Sequence, residues 1–389
     1  MVGRRLSVGA LASVLSIAFA AAAASAAPPT FGIALDPKAV LVDGDARPVA
    51  SPPPDSIVFY RFDGANPRPL GRVDAPTSFQ GPPSAIAIAA DGSFALASAS
   101  SRIDADDPSR FAADRRVSLI DLEATPIRVA QTIELDASPS SVALDPTGTF
   151  ALVVHNQDDS VSLLSIAGGR ATLLGKQSFE KDAGPMVAAF VPGRDAVVVT
   201  FSNKGTIALF DLKDGRLVMP AVREMSAGIH PTSLSLCGTT GLAVVANYGN
   251  VTGDGDTISL IDLAATPARV VVTITVGPSP EGVGCAPDGR HAAAAVQNMS
   301  TVSPRDPQYV SRSKLVLLRI AARRFTRIAD ADIGGWAQGT AFLDDRTLFA
   351  QSVVDRTLHL FRVDGRTLVR RDAISYRDGG PVSFGVAGR

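Results

Sequence analysis

Residues 139–166 read PSSVALDPTGTFALVVHNQDDSVSLLSI, and the fold follows from how this stretch divides. Ser141-Val142-Ala143-Leu144 is short and apolar, as a buried strand is. Asp145-Pro146-Thr147-Gly148 is a tight turn, with proline fixing φ and glycine accepting a positive φ. A second apolar strand covers 150–154, a polar loop follows at 155–159, and 161–166 alternates as a third strand. Residues 171–176 supply an outer fourth.

The same order returns along the chain. Inner strand and turn recur as SAIAIAADG (84–92), TSLSLCGTTG (232–241), VGCAPDG (283–289) and, more weakly, VAAFVPGRD (187–195). The third strand recurs as VSLIDL (117–122), TIALFDL (206–212), TISLIDL (257–263), LVLLRI (315–320) and TLHLFRV (357–363). Pro83, Pro139, Pro185, Pro231, Pro280 and Pro381, with Trp336 in the sixth place, mark unit starts every 45–56 residues. Four short strands per unit at that period predict an all-β fold: a β-propeller of four-stranded antiparallel blades.

The ends decide the blade count. IVFYRF (57–62) is a third strand, 69–74 can follow it as a fourth, and 381–386 is a lone inner strand. A seventh blade shared between the two termini closes the ring and removes exposed sheet edges. Val40 to Asp43 is expected as its second strand. FGIALDPKAVLV (31–42) resembles the template by itself, so 31–36 competes with 381–386 for one inner-strand place. The C-terminal strand is favoured, because closure needs a clasp.

Arg4 and Arg5 precede an uncharged apolar run over 6–24, and Ala24-Ser25-Ala26 is a small-residue cleavage site. Residues 1–26 read as a secretory signal peptide, leaving 27–389 as a single domain that is periplasmic or secreted. An uncleaved anchor is the alternative, since the run could just span a bilayer; the Ala-rich end and Pro28-Pro29 favour cleavage. No membrane attachment is expected after cleavage. With 37 Lys and Arg against 38 Asp and Glu, and no basic stripe, nucleic acid is not an expected partner.

The pattern P-x-x-(I/V)-A-x-x-P-(D/T)-G, then an apolar strand ending in Asn, then (S/T)-(V/I)-S-L-(I/L)-D, resembles the YVTN-type propeller repeat. It is seen in PSSVALDPTG…VVHNQDDSVSLLS and in VVANYGNVTGDGDTISLID. The chain is similar to lactonase-like and amine-dehydrogenase-heavy-chain-like seven-bladed propellers over about 81–386. The resemblance implies architecture first, since such proteins include enzymes and partner-binding subunits. The Pro192-Gly193-Arg194-Asp195 turn and Trp336 depart from the pattern.

Chain direction places the long loops 44–55, 101–116, 249–256 and 299–313 on one rim, and function is more often built on such a face. Asn156, Asn203, Asn247 and Asn298, at second-strand ends, are expected there, with His230, Glu281, Trp336 and Gln338 at the starts of inner strands. They are ligand-binding candidates; capping of loop backbone is the plainer reading of the asparagines. His230 and Glu281 are the candidate acid–base pair if they face each other across adjacent blades. The other histidines read as structural.

Thr252-Gly253-Asp254-Gly255-Asp256-Thr257 lacks the spacing and terminal Glu of an EF-hand loop, so no metal is expected. No cofactor motif occurs. Cys237 and Cys285 fall one step apart in consecutive inner strands, and a disulfide between them is possible. The expected role is binding of a protein partner or small ligand at the long-loop face, without catalysis. The alternatives are a lactonase-like hydrolase or isomerase at the channel mouth, and an accessory subunit of a periplasmic oxidoreductase.

Overall fold

The computed structural model describes residues 29–388; the predicted signal peptide lies outside the described residues. Every blade but the last runs outward from the axis in chain order. Blade 2 shows the plan: Ser141–Leu144, Phe150–His155, Ser160–Ala167 and Arg170–Ser178. Asp145 builds its tight turn, with Oδ1 accepting from Thr149 N and Phe150 N, each at 2.7 Å. Gly148 takes φ +71° there, a conformation that glycine adopts without steric cost.

Burial explains the composition of each strand position. Second and third strands are covered on both faces, so they read as near-continuous apolar runs. Outer strands alternate instead, as in Arg128–Glu134, with one face turned to solvent. Seven separate apolar cores result, one at each blade–blade interface around the ring.

The seventh blade joins the termini in the order Gly380–Val386, Thr30–Asp36, Ser56–Phe62, Pro67–Asp74. The C-terminal strand is innermost, and 30–36 stands second, not 40–43. One ring has room for one inner strand, so the N-terminal segment moves out one place. Ala39–Val42 instead pairs with Asp45–Pro48 in a hairpin off the blade. Part of the long loop at 101–116 is likewise a hairpin, Ser101–Ile103 with Phe111–Ala113.

Two local features position the site. Cys237 and Cys285 form a disulfide between the inner strands of blades 4 and 5, with Cα atoms 5.0 Å apart. Each of several inner strands also carries a register shift just after its first residue: Pro231/Ser233, Pro280/Gly282 and Ala337/Thr340. The bulge lifts the intervening residue off the ladder. Those residues are Thr232, Glu281 and Gln338–Gly339.

Candidate functional site at the channel mouth

The long loops form an arc on one face. A Cβ on Gly253 would stand 2.6 Å from the Gln308 side chain, so loops 249–256 and 299–313 touch. One on Gly44 would stand 2.8 Å from Ser303 N, which brings the 39–48 hairpin against loop 299–313. The hairpin's other side shares a shallow groove with Ser109, Arg110 and Phe111. The arc therefore links blades 4, 5, 7 and 1, and over blades 2 and 3 the loops are short.

Under the hairpin the mouth is filled. Leu41 and Ala46 pack on a core containing Trp336 and Phe79. Phe79 meets Trp336 edge-on with centroids 6.0 Å apart and Phe111 at 5.0 Å. Trp336 is 8% exposed, so it is a packing residue and does not present its ring to a ligand. Beside it, Lys38 is buried among Asp36, Asp55 and the Thr77 carbonyl.

The asparagines divide. Asn156 donates to the Pro185 carbonyl of the next blade at 3.1 Å. Asn247 is buried and donates to Thr257 and Ser259. Asn298, at φ +55°, donates to the Arg312 carbonyl. These three fasten loops and strands. Asn203 is exposed, with its amide pressed against Gly184.

His230 and Glu281 do not form a pair. His230 is half-buried, and its Nδ1 lies 2.9 Å from the Gly249 carbonyl. That contact requires a proton on Nδ1 and leaves Nε2 as the free nitrogen. Glu281 Oε2 instead accepts from Gln297 Nε2. Gln297 Oε1 accepts from Tyr248 Oη and Thr301 Oγ1, both at 2.9 Å. This chain holds the carboxyl against protein, with Oε2 engaged and Oε1 making no hydrogen bond among the described residues. No cation pairs with Glu281 there either, and burial pushes its carboxyl up to about 8. Burial also drives the Tyr248 phenol upward, with the charge of Glu281 adding to it.

Sequence reasoning located Glu281 but missed Gln297, Tyr248 and Thr301. Gln297 precedes Asn298 and Tyr248 follows Asn247, so each sits one residue from an asparagine that was singled out. In the loop 249–256, Asp256 accepts from Ser279 N and Asp254 from Thr252. No group of three or more His, Cys, Asp or Glu suited to a metal gathers among the described residues.

The raised carboxyl has a consequence for stability. The folded chain keeps the Glu281 proton to about pH 8, whereas an unfolded chain loses it near ~4.3. The folded state holds the extra proton across that window, so stability falls as pH rises through it and is flat on either side. Glu281→Gln is expected to match the wild type at pH 4 and to exceed it at pH 9 by roughly 1–3 kcal/mol. Urea denaturation at both pH values checks this; equal midpoints at pH 9 would contradict the burial.

No protein-family model matches the sequence, and no curated protein sequence matches it. Solved structures do. A "putative 6-phosphogluconolactonase" from Bacteroides fragilis superposes with a TM-score of 0.66 at 14% identity, over 92% of this chain and 98% of that one. Another of that description, from Bacteroides uniformis, gives 0.65 at 14% identity over 92% and 99%. Hydrazine synthase of Kuenenia stuttgartiensis gives 0.59 at 18% identity over 79% and 90%. At such identities the likeness speaks for the fold alone, and that fold is a seven-bladed β-propeller.

Proposed function

We propose that the protein is a binding module, working outside the cytoplasm, that takes a small ligand or a projecting group of a protein partner at the channel mouth. The observation that carries this reading is the arc of interlocked loops beside Glu281, whose carboxyl is buffered by Gln297 and has one oxygen to spare. The disulfide supports an oxidising compartment. Function through this face is tested by nuclear magnetic resonance, with backbone amides of the full chain followed against a panel of small polar compounds. Shifts gathered at 230–232, 248 and 281–301, and lost in Glu281→Gln, are the expected result. Shifts scattered over the outer strands, unchanged by the substitution, would refute it.

A second reading, a lactone hydrolase or isomerase, draws on the two neighbours described as "putative 6-phosphogluconolactonase". In it Glu281 would act as the acid and His230 Nε2 as the base. The separate partners of the two side chains weigh against a concerted pair. Turnover of a lactone panel, abolished by His230→Ala and by Glu281→Gln, would favour this reading over simple binding.

A further inference from the structure

Glu281 belongs to a row of oxygen acceptors. Thr232 and Gln338 hold the same place as Glu281 on the two neighbouring blades, in the bulge after the first residue of the inner strand. The three strands are in direct contact. Cys285 N donates to Ser235 Oγ at 3.0 Å across blades 4 and 5. A Cβ on Gly282 would lie 2.6 Å from Gly339 Cα and 2.7 Å from the Gln338 carbonyl across blades 5 and 6. Thr232 is 8% and Gln338 1% exposed, and neither Thr232 Oγ1 nor Gln338 Oε1 has a protein partner. Gln338 Nε2 lies 3.4 Å from both the Phe79 and Gly81 carbonyls, which assigns Oε1 as the unengaged end.

Buried polar atoms nearly always find a partner. Here two buried oxygens on the flanking strands, Thr232 Oγ1 and Gln338 Oε1, lack one, and the half-buried Glu281 on the strand between them carries a carboxyl without a counter-charge. An ammonium group carries three donors and no acceptor, so it complements this set in number and in sign. We propose, resting on the binding reading above, that the mouth between blades 4 and 6 is a site for a protonated primary amine, held by Glu281 Oε1, Thr232 Oγ1 and Gln338 Oε1. Its source is a free alkylamine or a lysine side chain.

The surroundings agree with a cation. Tyr248 of blade 4 lies near enough to feel the charge of Glu281, with Asp256 acting on Tyr248 in turn; Gln297 of its own blade bonds the carboxyl, and Tyr248 and Thr301 bond Gln297. His230 turns its Nδ1 to Gly249. No lysine or arginine forms an ion pair with Glu281 among the described residues, so a phosphorylated or carboxylated ligand would meet no counter-charge in it.

The sign of the pH dependence tests the idea. An amine needs Glu281 ionised, so its affinity rises from pH 7 to pH 9, roughly tenfold for a carboxyl titrating at about 8, while an alkylamine (pKa ~10.4) stays charged. A neutral acceptor ligand needs Glu281 protonated, and its affinity falls over the same range. Titration of the full chain with n-butylamine, Nα-acetyl-lysine methylamide and n-butanol, by calorimetry at both pH values, separates these. The amine is expected to bind with the rising profile, and Glu281→Gln to weaken it at least tenfold at pH 9. Gln338→Leu serves as a second variant should Glu281→Gln fold poorly.

Binding of n-butylamine without the lysine derivative assigns a small-molecule source, and binding of both assigns an exposed lysine as well. Glu281-dependent binding of n-butanol alone, or an amine affinity that falls with pH, overturns the amine assignment and leaves the binding reading standing. No Glu281-dependent response to any probe overturns both.

Discussion

Removing residues 380–389 is expected to abolish the cooperative unfolding transition of the full chain, and adding the peptide 378–389 in trans to restore it. The segment is the inner strand of the seventh blade, paired with Thr30–Asp36 in register from Phe31↔Val386 to Asp36↔Gly380. Its loss bares an unpaired sheet edge on the axis. It also removes Val382 and Val386, 1% and 4% exposed, from two different inter-blade cores. Neighbouring blades lose partners too: Ala85 N donates to Ser383 Oγ, and Gln351 Nε2 to the Ser383 carbonyl. One deletion therefore opens three interfaces at once, in a fold whose whole stability margin is about 5–15 kcal/mol.

A circular permutant tests the same claim without deleting anything. Ala387 N donates to the Thr30 carbonyl at 2.8 Å, so a short linker can join the described ends. New termini at Gly168-Gly169, a hairpin tip where an added Cβ would meet nothing, should leave the ring intact. A permutant that folds with the wild-type midpoint, beside a deletion that does not fold, is the expected pair of results. A deletion mutant with an undiminished denaturation transition would show that the terminal strand is dispensable and the ring argument wrong.

The propeller was legible because each blade repeats the same local chemistry: a leading proline, an apolar inner strand, an Asp- or Pro-bearing turn ending in glycine, then a two-face-buried run. The clasp was legible from PVSFGV standing alone at the C-terminus. What misled was FGIALDPKAVLV, a good copy of inner strand, turn and second strand. Local pattern cannot tell an inner strand from a second strand when both are buried on both faces. Ring closure decides it, and moves Asp36-Pro37-Lys38 from a tight turn to the base of the hairpin on the opposite rim. At the mouth, Glu281 was visible from its position after Pro280. Its partners were not, because polar residues at strand ends look alike whether they cap a loop or, like Gln297, buttress a carboxyl. Trp336 was misread for a related reason: an aromatic at a rim is legible, but the hairpin that buries it is contributed from 290 residues earlier in the chain.

Lys38→Met should be the most damaging single substitution on the long-loop face. Lys38 Nζ reaches Asp36 at 3.0 Å, Asp55 at 2.8 Å and the Thr77 carbonyl at 2.7 Å. Its side chain is 5% exposed, that of Asp36 0% and that of Asp55 18%. Even with the lysine present, burial holds the Asp55 carboxyl above its usual range, with the charge of Asp36 adding to the rise. Without the lysine, two carboxylates share a dry site, and removing one partner of a buried ion pair typically costs about 3–5 kcal/mol. The penalty depends on pH in a stated direction. In the variant the Asp55 carboxyl, already raised by burial, loses the lysine charge that lowers it, so the folded state keeps a proton that the unfolded chain gives up near ~3.9. The variant's deficit is therefore small at pH 4 and grows as pH rises through the elevated folded range of Asp55. Adding Asp36→Asn and Asp55→Asn should return much of the loss, because the repulsion leaves with the charges. Lys38 and Asp55 also stand at the two ends of the 39–54 excursion, so their separation frees the hairpin that covers Trp336. Urea denaturation at pH 4 and pH 7 reads the stability, and limited proteolysis between residues 39 and 54 reads the hairpin. A Lys38→Met protein as stable as the wild type at pH 7, with 39–54 still protected, would mean that the ammonium is dispensable and that apolar packing alone holds the cover over the mouth.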